Sequence, residues 1–394
     1  MKILQMTTYD LEQPNHGGKL RSYHIRQKLR ESFDVETLSF EWDNRNNYET
    51  FQVTLDQGKW EELDLNGLLI DWGICTYLEY YNELYTHVMA NVKSYDPDVI
   101  FLEQPFLWPL VKRLMVDKVV SPNTKIIYSS HNIEVGMKQK IYFDAFPTKV
   151  AQAYTDRVDT MEREVITSAH AALAVSKNDS DYISELAPNI SVRVFPNGNS
   201  KPVNNEQTQK WQKIFSYSEC NWVFIGSWHP PNINGLRSLL EAMPDDVDST
   251  RLSLFVLGGA GDGLLSMKGF CQEKYPYLNI LGPVSGDDID AAIMNSSGIV
   301  LPVWEGGGSN LKTAQALLSG KCVVGSRFSF RGFESYVKEE GVFLGETARQ
   351  VSQQLIEKRP EQFYKRSNKV SGLDWEEITK GMNSYIAKAI GISI

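Results

Sequence analysis

GIVLPVWEGGGSNLKTAQALLSGKCVVGS, residues 298–326, reads as a strand, a glycine loop, a helix and a second strand. Short apolar runs open and close it, and its middle has the composition of a good helix. Two such runs joined by a helix form a βαβ unit with parallel strands. Ser309 stands as an N-cap and Gly320 where a C′ glycine belongs, which predicts a helix over about 310–319. The first N–H groups of that helix, from Ser309, Asn310, Leu311 and Lys312, lack intrahelical partners and carry the positive end of the dipole. Gly306, Gly307 and Gly308 let a bulky anion approach them, and Lys312 adds a full charge from the first turn. A diphosphate fits this arrangement. Gln315 shares the face of Lys312, several ångströms further along at ~1.5 Å rise per residue, where a ribose would lie. A plain glycine-rich connection with a solvent-facing lysine is the competing reading of the loop by itself.

The same grammar runs through the chain. KILQMT, VETLSF, DVIFLEQP, KIIYSSHN, AALAVS and VRVFPNG precede it, and NWVFIGS, LSLFVLGG, LNILGPV, KCVVGS and GVFLG accompany it. Short continuous apolar runs separated by helical stretches suit parallel strands covered on both faces. The chain therefore reads as two Rossmann-like, doubly wound α/β domains facing across a cleft. The first takes residues 1–200, with a helical, Trp- and Tyr-rich insertion near 40–95 that shows few strand signals. The second takes 201–374 after the turn-rich PNGNSKPVNNEQTQKW, and 375–394 form a closing helix. Ligands of such sheets bind at the carboxyl ends of the strands. That makes HGGK (16–19), EQP (103–105), HNIE (131–134), SKND (176–179), GSWHPPN (226–232), GGAGDG (258–263), GPVSGDD (282–288) and EGGGSN (305–310) the candidate walls.

Composition bounds the partners. The 394 residues exceed one ordinary core, and a net charge of −9 disfavours a nucleic-acid binder. Cys75, Cys220, Cys271 and Cys322 lie far apart without CxxC pairing, so reduced thiols are expected and a structural metal is not. MKILQMTTYD is too short in apolar residues for a signal peptide, and no stretch approaches a membrane span. A cytoplasmic protein is expected. The basic stretch KLRSYHIRQKLR leaves peripheral contact with the inner membrane face open.

The ordered motifs resemble those of the GT-B glycosyltransferases, of the retaining "glycosyl transferases group 1" type. The Gly17–Gly18 pair, SSHNIE, MEREVITSAHAALAVSKND, FPNGNS, FIGSWHPPNINGLRSL, GPVSGDDIDAAI, PVWEGGGSNLKTAQALLSGKCVV and DWEEITKGMNSYIAKAI follow one another as that family's motifs do. The resemblance implies a nucleoside-diphosphate sugar, of UDP or GDP type, held by the second domain, with no permanently bound cofactor and no metal. It implies Gly17, Gly18, the 306–312 loop and Gln315 at the donor, with His131 and Glu305 at the sugar as the catalytic pair. A glycan, lipid-linked or protein acceptor would bind the first domain. Glu134, Trp228, His229 and Arg331 are secondary candidates; Glu134 is also the acid that a helix N-terminus favours.

Two departures from the family pattern stand out. The carboxylate that grips the ribose is replaced by Gln315, or by Thr313 in a rival alignment. The basic residue expected soon after the second domain's first strand is missing, and Trp228 and His229 stand there. A non-catalytic nucleotide-sugar-binding partner subunit, and a nucleotide-sugar epimerase, are the alternative functions.

Overall fold

All twelve apolar runs form strands in the computed structural model of the chain. It describes residues 1–394 apart from 13–16, 44–46, 49, 307–308, 361 and 393–394; of residues 47 and 48 it describes the backbone. The chain divides into two compact units, Met1–Pro196 with Thr379–Ile394, and Asn197–Ile378.

The first unit holds β1 (Lys2–Thr7), β2 (Asp34–Asp43), β3 (Asn47–Tyr48), β4 (Gln52–Asp56), β5 (Val99–Glu103), β6 (Lys125–Ser129), β7 (Ala171–Ala174) and β8 (Ser191–Val194). Their order is β3-β4-β2-β1-β5-β6-β7-β8, parallel except for β3 against β4. The central strands are buried along their length, as continuous rather than alternating apolar runs require. Leu4, Met6, Leu38, Phe40, Ile100 and Leu102 from adjacent strands form the middle of its core.

Two expectations are corrected here. The segment near 40–95 is helical over Ile70–Tyr80 and Asn82–Tyr95, but it also supplies β3 and β4. QVTLD pairs in parallel with the end of β2, one strand in from the short edge strand β3, where its mixed polar and apolar residues are tolerated. The closing segment is broken in two, Trp375–Ile378 and Met382–Ala389, because Gly381 adopts φ +72 between them. The second piece packs on the first unit, where Asn383 Nδ2 donates to Lys28 O at 2.6 Å and Tyr385 to Ser191 O at 2.7 Å.

The second unit holds β9 (Cys220–Ile225), β10 (Leu252–Leu257), β11 (Leu278–Gly282), β12 (Gly298–Leu301), β13 (Cys322–Ser326) and β14 (Val342–Gly345), all parallel in the order β11-β10-β9-β12-β13-β14. Trp222, Phe224, Leu254, Val256, Val300 and Val324 pack at its centre.

Strand order locates the sites. The chain winds outward both ways from β1 in the first sheet and from β9 in the second. The loops leaving β1 and β5, and those leaving β9 and β12, therefore diverge to opposite faces and open a crevice at the strands' carboxyl ends.

Candidate functional site

In the second unit the crevice is built by the loops after β9 and β12. The helix after β12 spans Leu311–Leu318, with Asn310 rather than Ser309 as its N-cap. The Asn310 amide does not cap through its side chain. Its Nδ2 donates to Ser329 O and to Thr313 Oγ1, both at 3.1 Å, tying the helix start to the turn after β13. The Ser309 hydroxyl instead accepts from Asn197 Nδ2 at 3.1 Å, and Asn199 Nδ2 donates to Leu311 O at 3.3 Å. Asparagines of the PNGN stretch thus hold the loop from the other side. Gly320 follows the helix at φ +71, the left-handed position of a C′ glycine.

Lys312 projects from the first turn. Its Nζ donates to Asn232 Oδ1 at 2.7 Å and lies 5.9 Å from the Phe224 ring. Asn232 is buried in the first turn of the helix Pro230–Glu241, and its Nδ2 donates to Ser227 O at 3.0 Å. That helix comes close because Gly235 has no side chain: a Cβ there would meet Pro302 O at 1.9 Å. The approach also lets Asn234 Nδ2 donate to Glu305 Oε1 at 2.8 Å. Burial, and then the field of Arg331, pull the Lys312 ammonium down to about 8. His229 is lowered too, by burial first and then by Lys312 and Arg331, with Glu305 opposing. Among the described residues, the loop thus gathers the cations Lys312 and Arg331 near the Glu305 carboxylate, itself engaged by the Asn234 amide.

Of the remaining expected residues here, Gly306 is described at φ +124, and Gly307 and Gly308 lie outside the described residues. Gln315 is half-buried on the Lys312 side of the helix, and among the described residues its amide has no hydrogen-bond partner. Thr313 is fully buried, and its hydroxyl donates to Ser329 O at 2.6 Å. Trp228 is 63% exposed at the mouth of the loop. Asn197, Asn232 and Asn234 were not singled out from the sequence. The PNG and PN motifs that contain the first two were the available signal.

In the first unit the crevice lies over β1, β5 and β6. His131, just beyond β6, is 5% exposed, and Glu103, the last residue of β5, is fully buried. Their Nε2 and Oε2 atoms are 2.8 Å apart. Burial would raise the Glu103 carboxyl, but the bonds from His131 and from Gln5 Nε2 (2.8 Å), with the field of Arg21, hold it below its ordinary value. Burial lowers His131, and Glu103 only partly offsets that. An ionised Glu103 accepts only, so Nε2 carries the proton and Nδ1 accepts from the Tyr9 hydroxyl at 3.1 Å. Gly17 and Gly18 open the helix Gly17–Arg30, whose buried face carries Arg21 and Ser22; His16 of the HGGK stretch lies outside the described residues.

Glu134 differs from the anion that a helix N-terminus favours. It opens the helix Glu134–Ala145, yet it is fully buried, and burial raises its carboxyl to about 8 against the opposing field of Lys138. Lys138 itself is bonded to Asp71. Desolvation outweighs the dipole, and Glu134 is protonated at neutral pH. Gln104, held at φ +65 in a left-handed conformation, donates to Glu134 Oε1 at 3.3 Å and accepts from Thr8 at 3.3 Å. Strained residues of this sort concentrate at functional positions.

Among the described residues no group of three or more His, Cys, Asp or Glu could hold a metal ion, and no helix is long and apolar enough to cross a membrane.

Comparison with known proteins agrees with this geometry. Residues 219–359 match the family of glycosyl transferases group 1. No curated protein sequence matches the chain significantly. Several solved structures share the fold along the whole chain. A sucrose-phosphate synthase from Thermosynechococcus elongatus superposes with a TM-score of 0.64 at 14% identity, covering 100% of both chains. An alpha,alpha-trehalose-phosphate synthase (UDP-forming) from Burkholderia vietnamiensis gives 0.63 at 10%, covering 99% of both. The Anabaena protein HepE, in complex with UDP and glucose, gives 0.59 at 13%, again covering 99% of both. With its two largely parallel α/β sheets the chain shares the fold of these solved structures, and its residues 219–359 match the glycosyl transferases group 1.

Proposed function

We propose that the protein moves a sugar from a nucleoside-diphosphate sugar to a hydroxyl of a glycan, lipid-linked or protein acceptor, with retention at the anomeric carbon. The observation that carries this reading is the half-buried Lys312 beside a glycine loop and a helix N-terminus, a site short of negative charge. A diphosphate supplies that charge, and preorganised N–H groups and the ammonium stabilise it further as it leaves. UDP is the nucleotide to test first, because two of the structural relatives are described with it or as forming it. Glu305, steadied by Asn234, faces the same loop and is assigned to the donor sugar; its place before the glycines also supports retention. In the first unit His131 is assigned to a sugar hydroxyl, taking the place of Tyr9 on Nδ1.

The rival reading, a binding partner that does not transfer, is favoured by one observation, the amide of Gln315 where the family carries a carboxylate. A thermal-shift panel of UDP, GDP, ADP and TDP with their sugars decides the first step. Ligand at 100 times its Kd stabilises by about 2.7 kcal/mol. One nucleotide should raise the unfolding midpoint, and its sugar should be slowly hydrolysed without acceptor. No shift with any of them overturns the donor reading; a shift without hydrolysis or transfer supports the partner.

A further inference from the structure

The diphosphate of a nucleotide sugar carries more negative charge than the single Lys312 ammonium offsets. The loop after β9 does not make up the difference, since Trp228 and His229 occupy the place of the expected base and His229 is held toward neutrality. Another strand does. After β13 the chain makes a short 3-10 turn, Arg327–Phe330, closed by Ser326 Oγ accepting from Ser329 N at 3.0 Å. Asn310 and Thr313 both bond Ser329 O, and Asn310 N donates to Arg331 O at 3.4 Å. The backbone of Arg331 is therefore fixed to the start of the anion-binding helix. Its guanidinium carbon lies 4.8 Å from the Phe328 ring centre. The far end of the side chain reaches the glycine loop, where a Cβ on Gly306 would sit 3.3 Å from Nη2 and 3.7 Å from Pro231. Only glycine at 306 leaves that room at an unstrained φ of +124.

We infer that Arg331 is the second cation of the diphosphate site, delivered from β13 in place of the base missing after β9. The inference rests on the donor reading above. As the bond between the anomeric carbon and the phosphate oxygen breaks, its electron pair passes to that oxygen. The acceptor oxygen bonds the anomeric carbon and passes its proton to the departing phosphate oxygen. Arg331 and Lys312 flank the phosphate oxygens on which charge collects, and the guanidinium can hold two of them at once. Burial lowers the proton affinity of both cations, and a bound anion would raise it again.

The test uses the full chain as Arg331→Ala and Arg331→Lys, with nucleotide affinity by calorimetry and donor turnover with and without added guanidinium ion. The alanine variant should lose about one to two decades of affinity for the nucleoside diphosphate that the parent binds. Its turnover should fall further, by about 100- to 1,000-fold. Added guanidinium should restore part of that turnover, and the lysine variant should fall between the two. Parental affinity and turnover in the alanine variant overturn the inference. So does a loss that guanidinium fails to relieve and that the lysine variant shares in full, since that is a structural role. Should the alanine variant not fold, the lysine variant's split between affinity and turnover decides in the same sense. If the parent itself binds no nucleoside diphosphate, it is the donor reading that fails.

Discussion

Lys312 titrates in the unliganded protein at about 8 because its ammonium is buried near another cation. If a bound diphosphate returns it to the ordinary lysine value of 10.5, binding and protonation are linked. Well below pH 8 the ammonium is charged in both states and affinity is flat. Between 8 and 10.5 only the complex keeps the proton, so affinity falls as pH rises. From about pH 7 to pH 9 the fall amounts to about tenfold, or on the order of 1.4 kcal/mol. At pH 8 about half a proton is taken up per molecule bound. Calorimetry in buffers of different ionisation enthalpy reads that uptake. The nucleotide sugar is the proper ligand, because a free terminal phosphate titrates at about 6 and adds its own protons. Lys312→Arg keeps a permanent charge and should abolish both the uptake and the slope. The unfolded chain holds the lysine proton to 10.5 and the folded one to about 8, so the cost to the fold is full below pH 8 and relieved above it. Lys312→Met should therefore raise the unfolding midpoint of the unliganded protein at pH 7 while weakening nucleotide binding. Flat parental affinity across this range, or undiminished uptake in Lys312→Met, refutes the reasoning.

Gln315→Ala should weaken nucleotide binding at parental stability, whereas Thr313→Ala should cost about 0.5–1.5 kcal/mol of stability by removing one of the two hydrogen bonds on Ser329 O, with little change in affinity. Gln315→Glu should bind at least as tightly as the parent, since a carboxylate accepts from both ribose hydroxyls. A large affinity loss confined to the Thr313 variant would place the ribose there instead. Glu134 titrates at about 8 folded against 4.5 unfolded, so the fold loses stability as pH rises from 4.5 to 8. Glu134→Gln removes that term, and its stability relative to the parent should grow between denaturant titrations at pH 5 and pH 8.5; identical pH dependence in the two proteins would count against a buried neutral acid.

Strands and the glycine loop were legible because they are local. Each apolar run carries its own period, and a βαβ unit declares itself within thirty residues. Glu103 shows where such reading stops. It closes VIFLE as an ordinary strand end, and only the β5–β6 register, Glu103 opposite Ser129, brings it beside His131. Gln5 joins them through another pairing, β1 with β5. Ser309 looked like a cap because serine usually is one; distant Asn197 claims its hydroxyl, and the cap passes to Asn310. The charge state of Glu134 was equally hidden. Helix position favours an anion there, and burial, with the fields of Asp71 and Glu162, reverses it over the opposing field of Lys138.

The division of the chain has a consequence for its biogenesis. The second unit lies between Pro196 and Thr379 of the first, and its two ends are stitched to each other, Asn199 N to Leu373 O at 3.0 Å and Trp375 N to Asn199 O at 3.2 Å. Asn197–Ile378 can thus close on itself as soon as it leaves the ribosome. The first unit cannot. Its strands emerge early, but the helix Met382–Ala389, which bonds to Lys28, Ala172 and Ser191, follows the whole of the second unit. Until it arrives, that flank of the first unit is open, and a chaperone that holds nascent chains would find its work there rather than on the later-made unit.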